Sequence, residues 1–304
     1  MGCSVVGLNV LSGAEYLKIG YSALEVAGPD AASYLQGQLS QDVEGIPLGD
    51  TAMSLLLAPT GKIIAVCWVL REESNKFVLL VETAAIEDVQ QRLKRYLIRT
   101  KASVEVLEFA AFLGRSIPPG APYLGHFSGG YFGPDEGIYL SMVEPDGMVV
   151  EEREKRVIKA LELERIKSNF ASYISELSLG LFPGALGNTL EQFVSFQKGC
   201  YVGQELVERM HSRATAAPIS LKVLTIEMGQ NVTFAEIVSI GKPLELYRDG
   251  LLAGEATSLV EGEPGNVTGI GAIKRSASDS SYFDLVLPGK VEGNQAVGKV
   301  RIVN

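Results

Sequence analysis

Val194-Ser195-Phe196-Gln197-Lys198-Gly199-Cys200-Tyr201-Val202-Gly203-Gln204-Glu205 sets a thiol and a phenol between two glycines. The apolar run from Phe193 to Phe196 reads as a strand. A helical pattern starts near Gln204, with Leu206, Val207 and Met210 as its apolar positions. Glycine serves where backbone turns sharply or comes close to another segment. A cysteine at such a strand-to-helix turn is therefore expected to be presented rather than packed away. Lys198, two residues before Cys200, and the partial positive charge of the following helix N-terminus both favour thiolate over thiol. The competing reading is a buried structural cysteine in a tight turn.

Working outward from this corner, the N-terminal side alternates between strand and helix patterns. Tyr21 to Gly28 reads as a strand, and Pro29-Asp30 opens a helix through Ala31, Ala32, Tyr34 and Leu35. Leu35 to Val43 is polar and contains Gly37, which weakens a helix interior, so it reads as a fraying end or a loop facing a ligand. Thr51–Leu57 and Ile63–Leu70 are strands joined by the turn Ala58-Pro59-Thr60-Gly61-Lys62, with Cys67 in the core. Lys76 to Val81 is another strand. Ala85 to Leu97 is an amphipathic helix with Ile86, Val89, Leu93 and Tyr96 on one face; Arg92, Lys94, Arg95 and Arg99 form its exposed basic patch. Such a run reads as a solvated face or as a partner-binding one.

Ser103 to Phe112 reads as a single strand, and the Pro- and Gly-rich region from Pro118 to Pro134 as the least ordered part. Ile138–Val143 and Met148–Glu152 read as a hairpin across Pro145-Asp146-Gly147. Arg153 to Ser168 reads as a helix burying Val157, Ile158, Leu161 and Ile166, and Phe182 to Asn188 as a loop leading into the corner. After the linker-like stretch His211 to Pro218 the pattern changes to short alternating runs: 221–227, 237–239, 244–247, 251–259, 269–273, 282–286 and 297–303. That is an all-β module of barrel size. The expected division is residues 1–215 and residues 216–304.

Bulk properties narrow the function classes. The 304 residues, 46% hydrophobic and 21% charged, allow more than one domain with a sizeable core. A net charge of −9 argues against bulk nucleic-acid binding. Cys3, Cys67 and Cys200 are far apart and lack a C-x-x-C, which points to a reducing compartment, no disulfide framework and no metal or cluster held by the chain itself. No signal peptide and no apolar run long enough to span a bilayer is seen, so cytoplasm is the expected location, without a membrane partner. A cysteine-hydrolase reading needs a histidine base, and His126 and His211 are the two histidines.

Lys198-Gly199-Cys200-Tyr201-Val202-Gly203-Gln204-Glu205 resembles the signature of the YgfZ family of folate-binding proteins, relatives of the glycine cleavage T protein (aminomethyltransferase). Gly28 to Val43 resembles that family's N-terminal block, and Gly254–Ser258 and Gly271–Arg275 resemble its barrel segments, so the likeness runs from about Tyr21 to Arg275. It implies an α+β N-terminal part of the glycine cleavage T protein type around a central cavity, plus a C-terminal β-barrel. It also implies tetrahydrofolate or a derivative as ligand. The implied role is support of iron–sulfur cluster assembly or repair in client enzymes, including tRNA-modifying ones, with Cys200 as the functional thiol. A folate pocket needs aromatic walls, here Tyr21 and Tyr201, and polar groups, here Gln38, Asp42, Gln204 and Glu205. Arg209 and Arg213 suit carboxylates of the tail. Both tyrosines also read as core, and Arg209 as the i,i+4 partner of Glu205. The alternative function is a tetrahydrofolate-dependent aminomethyl or one-carbon transferase; a third is an interaction module.

Overall fold

A computed structural model of the chain describes residues 11, 15–118, 123–133, 135–212, 217–229, 232–240, 244–262, 266–286 and 296–303. In chain order its elements are β1 (Tyr16–Ile19), β2 (Tyr21–Ala27), α1 (Ala31–Gln38), β3 (Thr51–Leu57), β4 (Ile63–Glu73), β5 (Lys76–Glu82), α2 (Ile86–Lys94), β6 (Ser103–Leu107), β7 (Ala110–Gly114), β8 (Tyr123–Phe127), β9 (Gly137–Ser141) and α3 (Glu151–Lys167). Then come α4 (Gln204–Ser212), β10 (Ile219–Met228), α5 (Phe234–Ile240), β11 (Leu244–Arg248), β12 (Leu251–Glu261), β13 (Asn266–Lys274), β14 (Tyr282–Val286) and β15 (Gly298–Val303). No described helix is long and apolar enough to cross a membrane.

Three antiparallel sheets result: β3-β4-β5-β2-β6, β1-β7-β9-β8, and a closed six-stranded barrel β10-β13-β12-β11-β14-β15. Strand period places alternate residues on opposite faces, and β4 shows the consequence. Ala65, Cys67 and Val69 pack under α1 and α2 with Leu35, Val89 and Leu93. Val66, Trp68 and Leu70 face the opposite way, into a core shared with Phe127 and Leu140 of the second sheet, Leu161 of α3, and Leu221 and Ile270 of the barrel. The barrel and the N-terminal sheets are therefore joined by one apolar core. The α+β part and the closed C-terminal barrel agree with the sequence reading.

Several local expectations are corrected. Phe193 to Phe196 is not a strand. Its apolar character comes from Phe193 and Val194 filling the core, while Ser195 N donates to Ser40 O at 3.0 Å and ties the segment to the end of α1 rather than to a sheet. The stretch 103–112 is two strands in different sheets, broken at Glu108-Phe109. Met148 makes only a parallel bridge to Tyr16, and α3 starts at Glu151, where three acids in the first turn favour a helix N-terminus. Ile158 of that helix is exposed.

Residues 237–239 are helical. Thr233 N donates to Glu236 Oε2 at 2.7 Å and Glu236 N to Thr233 Oγ1 at 3.3 Å, a capping box that overrides a short apolar run. α1 carries through Gly37 to Gln38, and β8 lies inside the region read as least ordered. Arg92 is buried, not part of a solvated patch.

Candidate functional site

The corner at 198–204 is built by contacts distant in sequence. Lys198 Nζ donates to the carbonyls of Gln36 and Leu39, each at 2.6 Å, and of Gln41 at 2.9 Å, closing the C-terminal end of α1. Val202 N donates to Gly37 O at 3.1 Å. Ser40 Oγ donates to Phe193 O at 2.7 Å and accepts from Leu55 N at 2.8 Å, fixing the same segment to β3. Gln204 Oε1 accepts from Tyr201 N at 2.9 Å, tying the turn at 201–203 to the first residue of α4.

The two glycines are not equivalent. Gly203 has φ +86°, and a Cβ there would meet Ala58 O at 2.8 Å, so only glycine fits. Gly199 faces open space.

On this corner Cys200 is exposed, whereas Cys67 is buried on the face of β4 that packs under α1 and α2. Cys3 lies outside the described residues. Burial pushes the Cys67 thiol up from 9.0 to about 12. Between those values the unfolded chain has lost a proton the native chain keeps, so this group lowers stability as pH rises through that window. Alkylation by iodoacetamide at neutral pH is expected to modify Cys200 in the native protein and Cys67 only after denaturation. Peptide mass spectrometry checks this; equal native rates at both positions would contradict it.

Lys198 does not stand free beside the thiol: its ammonium is held by the three carbonyls and lies 5.0 Å from the centre of the Tyr201 ring. Burial lowers its pKa from 10.5 to about 8, opposed by the charges of Asp42 and Glu44. Lys198→Met orphans the carbonyls and is expected to cost on the order of 1–3 kcal/mol. Urea unfolding measures the loss; unchanged stability would show that Lys198 does not hold the corner.

The remaining sequence-predicted residues do not converge on one place. Tyr201 is buried, with a hydroxyl that finds no partner among the described residues. It lines a cavity of about 520 Å³ with Pro59, Gly61, Gln204, Glu205 and Arg209. Glu205 and Arg209 form an exposed pair at 2.5 Å, as their spacing allows. Asp42 accepts from Gln36 Nε2 at 2.8 Å and lines a separate hollow of about 540 Å³ with Gln41, Asp50 and Ser128. Gln38 is buried and accepts from Arg92 Nη1 at 3.0 Å, on the α2 side of the sheet. Arg213 lies outside the described residues.

Tyr21 stands at the middle of the molecule. Its ring centre is 5.5 Å from Trp68 and 6.5 Å from Phe132, and its hydroxyl is 3.2 Å from that of Tyr131. It lines a cavity of about 280 Å³ with Tyr131, Glu82, Glu162, Arg165 and Ser172. Burial raises the pKa values of both tyrosines and of the Glu82 carboxyl.

Beneath it, Arg165 donates to Glu162 (2.7 and 2.8 Å), Glu176 (3.1 Å), Phe170 O (2.6 Å) and Ser258 Oγ (2.6 Å). Glu176, fully buried, also accepts from Ser172 N and from the hydroxyls of Thr257 and Ser258. This network was missed in the sequence. Its signal was Arg165 falling four residues after Leu161 on the face that α3 buries, where a charge must be paired.

Among the described residues, no group of three His, Cys, Asp or Glu stands close enough to hold a metal ion. His126 of β8 stacks on Tyr139 of β9 at 5.0 Å.

Residues 20–111 match the model of the GCVT N-terminal domain. The chain is 29% identical over 201 residues to an uncharacterized protein of Haemophilus influenzae, covering 64% of this chain and 67% of that one. It is 26% identical to the tRNA-modifying protein YgfZ of Colwellia psychrerythraea, covering 62% and 65%. It is 25% identical to the mitochondrial iron-sulfur cluster assembly factor IBA57 homolog of Pyricularia oryzae, covering 62% and 52%. The matches thus span about half to two thirds of these relatives' length. In fold it resembles the glycine cleavage system aminomethyltransferase T of Bartonella henselae, with TM-score 0.67 and 14% identity, over 97% of this chain and 86% of that one. Signature, matched domain, relatives and fold agree in one likeness: the chain resembles the YgfZ family, related to the glycine cleavage T protein.

Proposed function

We propose that this protein is a folate-binding factor that supports iron–sulfur cluster assembly or repair in client enzymes, including tRNA-modifying ones, with Cys200 as its working thiol. The observation that carries the reading is the exposure of Cys200 on a corner whose backbone is fixed by Lys198, Gly203 and Gln204. A thiol held this way meets a partner protein or a cluster in transit without first being uncovered. The names of the YgfZ and IBA57 relatives support the same role.

For the ligand, the central cavity supplies what a pterin requires. Tyr21 and Tyr131 give aromatic wall and hydroxyls, and the Glu82 and Glu162 carboxylates match the adjacent N–H donors of the pterin edge. Its volume, about 280 Å³, lies near the lower end of small-molecule sites, roughly 300–1,000 Å³, which suits the head of a folate with its tail outside. Arg165 is engaged by Glu162 and Glu176 and acts there by holding Glu162 in place.

Titration with tetrahydrofolate is expected to raise the melting temperature with the logarithm of ligand concentration above Kd, by about 2.7 kcal/mol of added stability at a hundredfold excess over Kd. With a methylamine donor present, no one-carbon transfer is expected. Turnover would establish the aminomethyltransferase alternative, and no rise at all would remove folate from the account.

A further inference from the structure

The net charge of the chain is −9, yet residues 89–104 hold Arg92, Lys94, Arg95, Arg99 and Lys101 and no Asp or Glu. Arg92 is buried; the other four are exposed. Ile98, between Arg95 and Arg99, is 80% exposed, more than any other large apolar side chain among the described residues. The end of α2 accounts for Lys94 and Arg95, because cations there offset the negative end of a helix. It does not account for Ile98, Arg99 or Lys101, which lie beyond it.

Arg99 also has φ +61°. The other non-glycine residues with positive φ among the described ones are Asn169 and Asp249, types that tolerate it. An arginine there is strained where glycine would not be, and such strain gathers at functional positions. The acids that touch this stretch are already engaged. Glu105 pairs with Lys94 at 3.5 Å, Asp30 Oδ2 accepts from Lys101 N at 2.8 Å, and Asp88 Oδ2 accepts from the Tyr173 hydroxyl. Arg95, Arg99 and the Lys101 ammonium form no ion pair among the described residues.

The patch lies one helix away from the thiol. Arg92 Nη1 donates to Gln38 Oε1 at 3.0 Å and the Tyr34 hydroxyl to Leu93 O at 2.6 Å, which seats this end of α2 on α1. On α1 the neighbouring residue, Gly37, accepts from Val202 N of the Cys200 corner at 3.1 Å. α1 has eight residues, about 12 Å of helix. A protein interface of ordinary size, about 800 Å² on each partner, spans both features.

We propose that the exposed stretch Arg95–Lys101 is the docking surface for a partner protein, which presents an acidic segment carrying an apolar side chain. Ile98 supplies the apolar contact, and Arg95, Arg99 and Lys101 meet carboxylates around it. The partner is the client or assembly protein that Cys200 meets, so its identity rests on the function proposed above. RNA fits less well: platforms that stack bases are aromatic, the exposed anchor here is aliphatic, and the overall negative charge repels a polyanion.

The test places a photo-crosslinking amino acid at position 98 of the full chain, expressed in cells in place of the parent. Cross-linked products are digested and identified by mass spectrometry. Attachment to a protein through a peptide with more Asp and Glu than Lys and Arg is expected. Arg95→Glu/Arg99→Glu is expected to lower the yield severalfold, because like charges then face each other. Arg99→Gly is expected to lower the yield while the melting temperature holds or rises, since glycine removes the strain; a merely structural role for Arg99 would move the two together. This variant keeps the test open if the charge-reversed protein fails to fold.

The cross-link needs neither the sulfur nor folate, so it is expected to persist with Cys200→Ala, and failure of the thiol's role reads out separately from failure of docking. No product, attachment to RNA, a peptide without an acidic excess, or a yield that Arg99→Gly and charge reversal leave unchanged would each overturn the proposal.

Discussion

Arg165→Met is expected to cost about 3–5 kcal/mol, the effect of leaving one member of a buried ion pair without its partner. Glu176 is fully buried and would be left with only Ser172 N and the Thr257 and Ser258 hydroxyls as partners. The loss also has a position. Arg165 sits on α3, Thr257 and Ser258 on β12, and Ser172 in the segment hydrogen-bonded to Glu82 at the end of β5. The network therefore fastens the barrel to the five-stranded sheet, in addition to the apolar core they share.

Urea unfolding of the single variant should show the full loss. In Arg165→Met/Glu176→Gln part of it should return, because no orphaned charge remains, and the two changes should be far from additive. A single variant within about 0.5 kcal/mol of the parent, the range of ordinary surface substitutions, would mean that the network is not what joins the two parts.

How much of this was legible in the sequence depends on whether the cause was local. β3, β4 and β5 were readable because each alternates between two apolar environments and Pro59-Thr60-Gly61 marks the turn between the first two. The barrel was readable from short runs punctuated by glycine. β8 was hidden because Gly129 and Gly130 look like loop composition. A Cβ on Gly130 would meet Trp68 at 3.0 Å and Phe170 at 3.2 Å, so that glycine marks close packing rather than disorder.

Thr233-x-x-Glu236 was present as a capping signal and was outweighed by the apolar run beside it. Arg92 and Arg165 were not recognised because a charge on a helix ordinarily faces water. In both, the spacing from buried neighbours (Val89 to Arg92, Leu161 to Arg165) was the available clue.

For the site, the corner itself could be read from Gly203 and Cys200. What fixes it could not, because the carbonyls that hold Lys198 come from 157 to 162 residues earlier in the chain. The spread of Tyr21, Gln38, Asp42 and Tyr201 over different surroundings likewise follows from which side of the five-stranded sheet each element packs. Composition and spacing carry no information about that.

The thiol itself remains the centre of the account. Because Cys200 is exposed and packs nothing into the core, Cys200→Ala should leave stability within about 0.5 kcal/mol of the parent. A functional loss then reports on the sulfur and not on folding. The direct measurement is iron–sulfur enzyme activity, in cells whose only copy of this protein carries Cys200→Ala, beside cells carrying the parent at equal abundance. Activity of the client enzymes is predicted to fall to the level of cells lacking the protein. Activity indistinguishable from the parent, with the variant folded and abundant, would contradict the account.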